Sequence, residues 1–433
     1  MSESSNHITD LTPLPQASVP PSNLPSIAEV RDTVLHHFPH LWPGVEAGLS
    51  TCATLLLADN ANPTALIYMG APSTGKTTIA KFFETAQVGN KPLCYRSDKF
   101  TPASFLSHSA NVSKADLEQV HLLPKLRHRV LLTPELGPIF TGKTDDLKDR
   151  FATITRVLDG EGLSTDSGTH GQINLAGEYV FAWLGATTPF SKNVWQVMAQ
   201  LGSRLFFLVM EGNTQPSKVE LIQSLLEPDS YKERVGKSQV AVGNFLSHLF
   251  TYYGGPQGVA WNNTNAPQVV LELLVNCASL LAVMRTPYGL DPEQDANGPQ
   301  NEGPTRAMSV LYNLARGHAL IHGRTLLQST DLPLIGAVML SSMPKRRREV
   351  ILGFVHQGGG TLTVHDLAGI AGVCPNTGQT IMQEMEWLKL VQFDKPGPGA
   401  ASSIRLLPEW EWMATGPFRQ LLLEAEAWQH NGV

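Results

Sequence analysis

Hydrophobic and polar positions along this chain follow two rhythms. Between residues 65 and about 215, short apolar runs alternate with segments whose apolar residues recur at helical spacing. The runs are ALIYM (65–69), PLCYRS (92–97), RVLLTPEL (129–136), YVFAWLGATT (179–188) and RLFFLVM (204–210). Runs that are apolar on both faces, separated by helices, predict a five-stranded parallel sheet covered on both sides, an α/β fold. Upstream, SIAEVRDTVLHHF and VEAGLSTCATLLLAD, within 26–60, read as helices. From 216 to 343 the helical rhythm dominates, interrupted by YGLDPEQDANGPQNEGPT (288–305), whose Gly, Pro and Asn content marks a loop. Past 345 the pattern changes again. KRRREVILGFVHQGG opens a helix on a basic cluster, and TLTVHDLAGIAGV with CPNTGQTIMQEMEWLKLVQF reads as helix–turn–helix. FDKPGPGAASSIRLL then alternates like a hairpin with a Gly/Pro-rich wing, a winged-helix pattern. The expected organisation is an arm (1–25), an α/β core (26–215), a helical unit (216–343), a winged-helix unit (345–407) and a C-terminal helix (408–433) anchored by Trp410, Trp412 and Trp428.

Composition narrows the possibilities. A chain of 433 residues, 42% apolar and 16% charged, has core material for two or three globular domains. The formal net charge of −6 supplies no general basic field, so any nucleic-acid contact must come from a local patch. Cys52, Cys94, Cys277 and Cys374 are far apart, which predicts reduced thiols in a cytoplasmic protein rather than a disulfide framework or a zinc site. The Pro- and Ser-rich start lacks the charged and apolar regions of a signal peptide and reads as a disordered arm. No apolar run approaches membrane-spanning length.

The first apolar run ends in chemistry. GAPSTGKT (70–77) has the G-x-x-x-x-G-K-[ST] spacing of a P-loop, placed between a strand and a helix as that motif requires. Gly70 and Gly75 permit backbone angles closed to other residues, so the N–H groups of Ala71, Pro72's neighbour Ser73, Thr74 and Gly75 can turn toward phosphate oxygens. The new helix adds its positive end through Lys76, Thr77 and Thr78. Lys76 would reach the β- and γ-phosphates of ATP, and the Thr77 hydroxyl would hold Mg²⁺.

Residues on later strands complete the candidate site. Glu135 closes a buried run at the position of the carboxylate that polarises an attacking water; the alternative is a cap on the helix after it. Pro134 stands where a Mg²⁺-supporting Asp is usual, leaving metal support to Thr77 or to Asp98, itself better read as a turn cap. The fourth run ends in Thr187 and Thr188. In such a sheet this strand lies between the P-loop strand and the Glu135 strand, so its polar end points toward the γ-phosphate. Arg204, just before the fifth run, reads as an arginine finger serving a neighbour's ATP, and Arg306 as a lid arginine reporting nucleotide state. A kinase remains open on these residues, without an obvious acceptor-binding lid. His36, His37 and His40 resemble a metal cluster on paper but read as surface and packing residues.

Taken in order, these parts resemble the AAA+ ATPases, and within them the minichromosome maintenance and magnesium-chelatase/MoxR-like branch, over residues 40 to 343. GAPSTGKT looks like Walker A, VLLTPE like an altered Walker B, GATTP like sensor 1 and GSRLFF like the arginine-finger segment. TRAMSVLYNLARGHALIHGRTLLQSTDLPLIGAVML looks like the lid, with Arg306 as sensor 2. The resemblance implies ATP hydrolysis at subunit boundaries of a ring, a hexamer by analogy. It also implies that GTHGQ forms a pore-facing hairpin, here offering His170 and Gln172 but no Lys or Arg. The winged helix would lay Asn376, Thr377, Gln379, Thr380 and Gln383 in DNA, with phosphate contacts from Lys389, Lys395, Arg405 and the 345–348 cluster, or else dock a protein partner. The expected functions are therefore a DNA-directed motor or loader, a protein-remodelling ATPase, or a slow nucleotide switch.

Overall fold

The computed structural model describes residues 26–98, 101–106, 121–167, 171–202, 204–211, 217–289, 298–299, 302–395, 397 and 400–431. The 1–25 arm, His170 and most of the 288–305 loop lie outside them.

All five apolar runs are strands: β1 (Thr64–Met69), β2 (Cys94–Arg96), β3 (Val130–Thr133), β4 (Ala182–Thr187) and β5 (Leu205–Val209). They form one parallel sheet in the order β2-β3-β4-β1-β5, which places the fourth run between the first and third as expected. Alternation across the pleat explains why the runs are unbroken. Leu66, Tyr68, Leu132, Leu184 and Phe206 enter one core, and Ile67, Leu131, Trp183 and Phe207 enter the other. The first core is covered by α1 (Ile27–His37), α2 (Trp42–Ala53) and α3 (Lys76–Phe82), the second by α4 (Thr144–Val157) and α5 (Lys192–Gln200). Between α4 and β4, Gly162–Ser167 and Gly171–Ala176 pair as an antiparallel hairpin with Ser167 opposite Gly171.

The helical unit contains α6 (Tyr231–Tyr252), α7 (Gln268–Met284), α8 (Thr305–Ile321) and α9 (Leu332–Ser341). α8 crosses α2 so closely that a Cβ on Gly317 would lie 2.1 Å from the Ser50 carbonyl oxygen. Only glycine fits there.

The C-terminal module runs α10 (Lys345–Gln357), β6 (Thr361–Thr363), α11 (Val364–Ala371), α12 (Pro375–Trp387), β7 (Val391–Asp394) and β8 (Ser403–Leu406). Its sheet is antiparallel in the order β6-β8-β7. α11 starts on a reciprocal cap, with the Asp366 N–H donating to Thr363 Oγ1 and the Thr363 N–H to Asp366 Oδ2, and stops at left-handed Gly372 (φ +63°). The last helix, α13 (Gly416–Asn431), returns to the core, where Gln429 Nε2 donates to the Val209 carbonyl at the end of β5.

One member of the basic cluster does not face solvent. Arg347 is buried: its Nε donates to Glu384 Oε1 at 2.7 Å, and its Nη1 to the carbonyls of Met284 and Thr286, both at 2.7 Å. It therefore ties α10 to α12 and to the end of α7 and cannot serve as a phosphate contact. Arg347→Ala is expected to lower stability by about 3 kcal/mol, because it strands the Glu384 carboxylate and two carbonyls. A loss in the chemical-unfolding midpoint checks this. No helix among the described residues is long and apolar enough to cross a membrane.

Candidate nucleotide site

The loop between β1 and α3 is shaped by two glycines and two left-handed residues. Gly75 (φ +83°) caps α3, and Ser73 adopts φ +68°. A Cβ on Gly75 would lie 2.4 Å from Leu41 Cδ2, and one on Gly70 2.6 Å from the Met210 carbonyl oxygen. Side chains at these two positions would strike the neighbours against which the loop is packed. Lys76, 9% exposed, turns back over it and donates to the carbonyls of Gly70 at 2.8 Å and Ala71 at 2.6 Å, and to Thr74 Oγ1 at 3.2 Å. Burial pushes the Lys76 ammonium below its usual range, while nearby Glu135 pulls it back up. Ala71 is half-buried, and Pro72, Ser73 and Thr77 are exposed. Thr78 differs. Its hydroxyl pairs with Tyr231 OH at 2.8 Å and so joins α3 to α6.

The strand ends converge as a parallel sheet dictates. The Gly70 N–H donates to the Thr187 carbonyl at 3.2 Å, so the P-loop starts against the end of β4. Thr187 is buried and Thr188, the next residue, is exposed beyond it. Past β3, Pro134 is buried and Glu135 is exposed, with Glu135 Oε1 accepting the Gly137 N–H at 2.7 Å. That contact caps the 3₁₀ turn Gly137–Phe140, as one reading of the sequence anticipated. Glu135 still lies near enough to Lys76 to act on its charge. Asp98 pairs with Arg96, Nε to Oδ1 at 2.8 Å, as a local turn contact.

Arg204 and Arg306 lie elsewhere. Arg204 precedes β5, whereas the P-loop follows β1, and Met69 aligns with Val209 at the far end of β5. Five residues of strand at about 3.3 Å each put roughly 16 Å between Arg204 and that edge. Both arginines converge on Asp159, just after α4: Arg204 Nε at 3.3 Å and Arg306 Nη1 at 2.7 Å from Oδ1. Arg306, expected as a lid arginine reporting nucleotide state, is thereby grouped with Arg204. Asp159, the residue that gathers them, carries no sequence signal.

The Lys345–Arg348 cluster also departs from its expected place. A cavity of about 480 Å³ opens beside the P-loop, with Gly70, Ala71 and Thr74 on one wall and Lys345 and Arg348 on another. Arg348 donates to Glu349 Oε1 at 3.0 Å, while its Nε is buried with no hydrogen-bond partner among the described residues. These cations face the loop cavity as much as any external surface. On α12, Asn376, Thr380 and Gln383 are exposed, whereas Thr377 and Gln379 are half-buried. Gln172 on the hairpin is exposed.

The glycine cradle, the buried ammonium and the exposed hydroxyl after it fit a nucleoside triphosphate with Mg²⁺.

No protein-family model matches the chain, and no curated protein matches it. Among solved structures it is similar to the C-terminal region of NrS-1 in its A form apo structure, with 12% identity over 92% of this chain and 79% of that one, at a TM-score of 0.29. It is also similar to the SCCmec type IV Cch active helicase, with 11% identity over 90% of this chain and 71% of that one, at a TM-score of 0.30. Neither likeness reaches the level at which a shared activity follows.

Proposed function

We propose that this protein is an ATP-hydrolysing AAA+ motor or switch that assembles as a ring, a hexamer by resemblance, and acts on DNA through its C-terminal winged-helix module. The observation that carries the reading is the P-loop cradle, with Lys76 buried in it and the end of β4 hydrogen-bonded to its first residue. In this scheme Gly70–Thr78 bind the triphosphate, Lys76 orients its β- and γ-oxygens, and Thr77 holds Mg²⁺, which when bound supplies charge against the developing negative oxygens. Glu135 accepts the proton of the attacking water. Thr188 holds the γ-phosphate end. Arg204, together with Arg306, serves the site of the adjacent subunit, since both sit at the opposite end of the sheet from their own P-loop. The helical unit at 216–343 acts as the lid.

A second reading, a MoxR-like ATPase whose winged helix docks a protein, draws support from the cations. Arg347 is internal and Lys345 and Arg348 line the cavity beside the P-loop, leaving fewer charges for a DNA backbone. An ATPase assay with and without single- and double-stranded DNA separates the two. Stimulation of several-fold at low salt that fades as salt rises is expected for the DNA motor. Absence of stimulation at low salt overturns it in favour of the protein-directed reading.

A further inference from the structure

We propose that Glu46, His318 and His322 form a binding site for a transition-metal dication, Zn²⁺ by ligand type, that staples the α/β core to the helical unit and the C-terminal helix. The three side chains come from α2 and from α8 and its C-terminal cap, brought together by the close crossing at Gly317. Their ligand atoms all lie within 4.8 Å of one another. His318 and His322 stand four residues apart, on one helical face, the spacing at which two imidazoles can chelate one ion.

The inward-facing atoms stand farther apart than those of a tight ion pair. Glu46 Oε1 lies 3.3 Å from His322 Nε2 and 3.5 Å from His318 Nε2. A charge-assisted hydrogen bond would be shorter, at about 2.7–2.9 Å. In the same cluster His318 Nδ1 and Asp331 Oδ1 do meet at 2.7 Å, so the longer spacings are particular to the inward-facing atoms. Bonds of about 2.0–2.1 Å to a tetrahedral Zn²⁺ place neighbouring ligand atoms about 3.3 Å apart, close to the two spacings from Glu46 to the histidines.

An outer shell orients each buried ligand. Asp331 accepts from His318 Nδ1, which leaves Nε2 as the ring nitrogen that faces Glu46. Asp331 is itself held by Arg324 Nη1 at 2.8 Å and by the Gln328 N–H at 2.7 Å, so its charge is already balanced. Trp428, on α13, donates its Nε1–H to Glu46 Oε2 at 2.9 Å, fixing the carboxylate so that Oε1 faces the histidines. An anionic carboxylate and two imidazoles are a borderline-soft set that suits Zn²⁺ rather than Mg²⁺ or Ca²⁺. Glu46 and His318 are buried, while the His322 side chain is 30% exposed and offers a path for the ion and for a water as fourth ligand.

The test uses the untagged full-length chain, dialysed against zinc and then against metal-free buffer. Metal is measured by mass spectrometry, and the unfolding temperature is followed as Zn²⁺ or Mg²⁺ is added. Expected are stoichiometric zinc and an unfolding temperature that rises with Zn²⁺ and not with Mg²⁺. His322→Gln, at the exposed corner, should remain folded by circular dichroism and lose both effects. Wild-type protein that retains no zinc and does not respond to it overturns the proposal and identifies a metal-free His–carboxylate network. Zinc binding that is equal in wild type and in His322→Gln overturns it as well, by placing the ion elsewhere. Neither readout depends on nucleotide hydrolysis.

Discussion

Lys76→Ala is expected to abolish nucleotide binding, weakening ATP affinity by roughly a hundredfold or more. Hydrogen bonds from a charged donor contribute about 1.5–3 kcal/mol each, and loss of the ammonium removes them from two phosphates at once. The geometry adds to this figure. The ammonium is held within the loop by the Gly70 and Ala71 carbonyls and by Thr74 Oγ1, so it is pre-positioned over the cradle and little side-chain entropy is spent on binding. The strands and helices around the loop are packed in two apolar cores that Lys76 does not join, so the variant should fold. Calorimetric titration with ATP and Mg²⁺ is the measurement. An affinity close to wild type would remove the site assignment and everything proposed from it.

Glu135→Gln should leave ATP binding intact and lower turnover by roughly 10²–10⁴-fold, the usual contribution of a positioned general base. The substitution isolates chemistry from structure. A glutamine oxygen can still accept the Gly137 N–H that Glu135 accepts at 2.7 Å, so the Gly137–Phe140 turn keeps its cap. What the amide cannot do is take a proton from water. Single-turnover hydrolysis, measured beside the binding titration, gives the answer. Hydrolysis at the wild-type rate would show that the carboxylate only caps the turn. Because Pro134 is buried where a second carboxylate would help hold the metal, the wild-type rate itself is expected to be modest.

The most legible parts of the chain were those whose physics is local. Each strand of the parallel sheet is apolar on both faces, so Leu66 and Ile67 can enter opposite cores and the run reads as continuous. The P-loop is equally local: the angles of Gly75, the reach of Lys76 and the start of α3 all lie within eight residues of one another. The helix–turn–helix order past 345 was visible for the same reason, whereas the hairpin at Gly162–Ala176 was expected from the family resemblance.

Charged residues were the least legible, because a charge's partner can be anywhere in the chain. Arg347 reads as a surface cation in KRRRE, yet its carboxylate partner lies 37 residues on, across a helix packing that no local pattern announces. Asp159 draws Arg204 and Arg306 together from two different units, a grouping that no local pattern announces. His36, His37 and His40, clustered in sequence, form no metal-ligand group among the described residues, whereas His322 meets Glu46 from 276 residues away. The His318–His322 spacing was the one readable trace of that cluster.

By itself, then, the sequence determined the strands, the phosphate loop and the succession of units, since hydrophobic periodicity and glycine geometry act over a few residues. Which cation faces a phosphate, which is buried against a carboxylate, and which histidines meet was decided only by tertiary packing. Electrostatic partners are chosen by proximity in space, and burial sets the strength of each pairing once the chain has brought distant segments together.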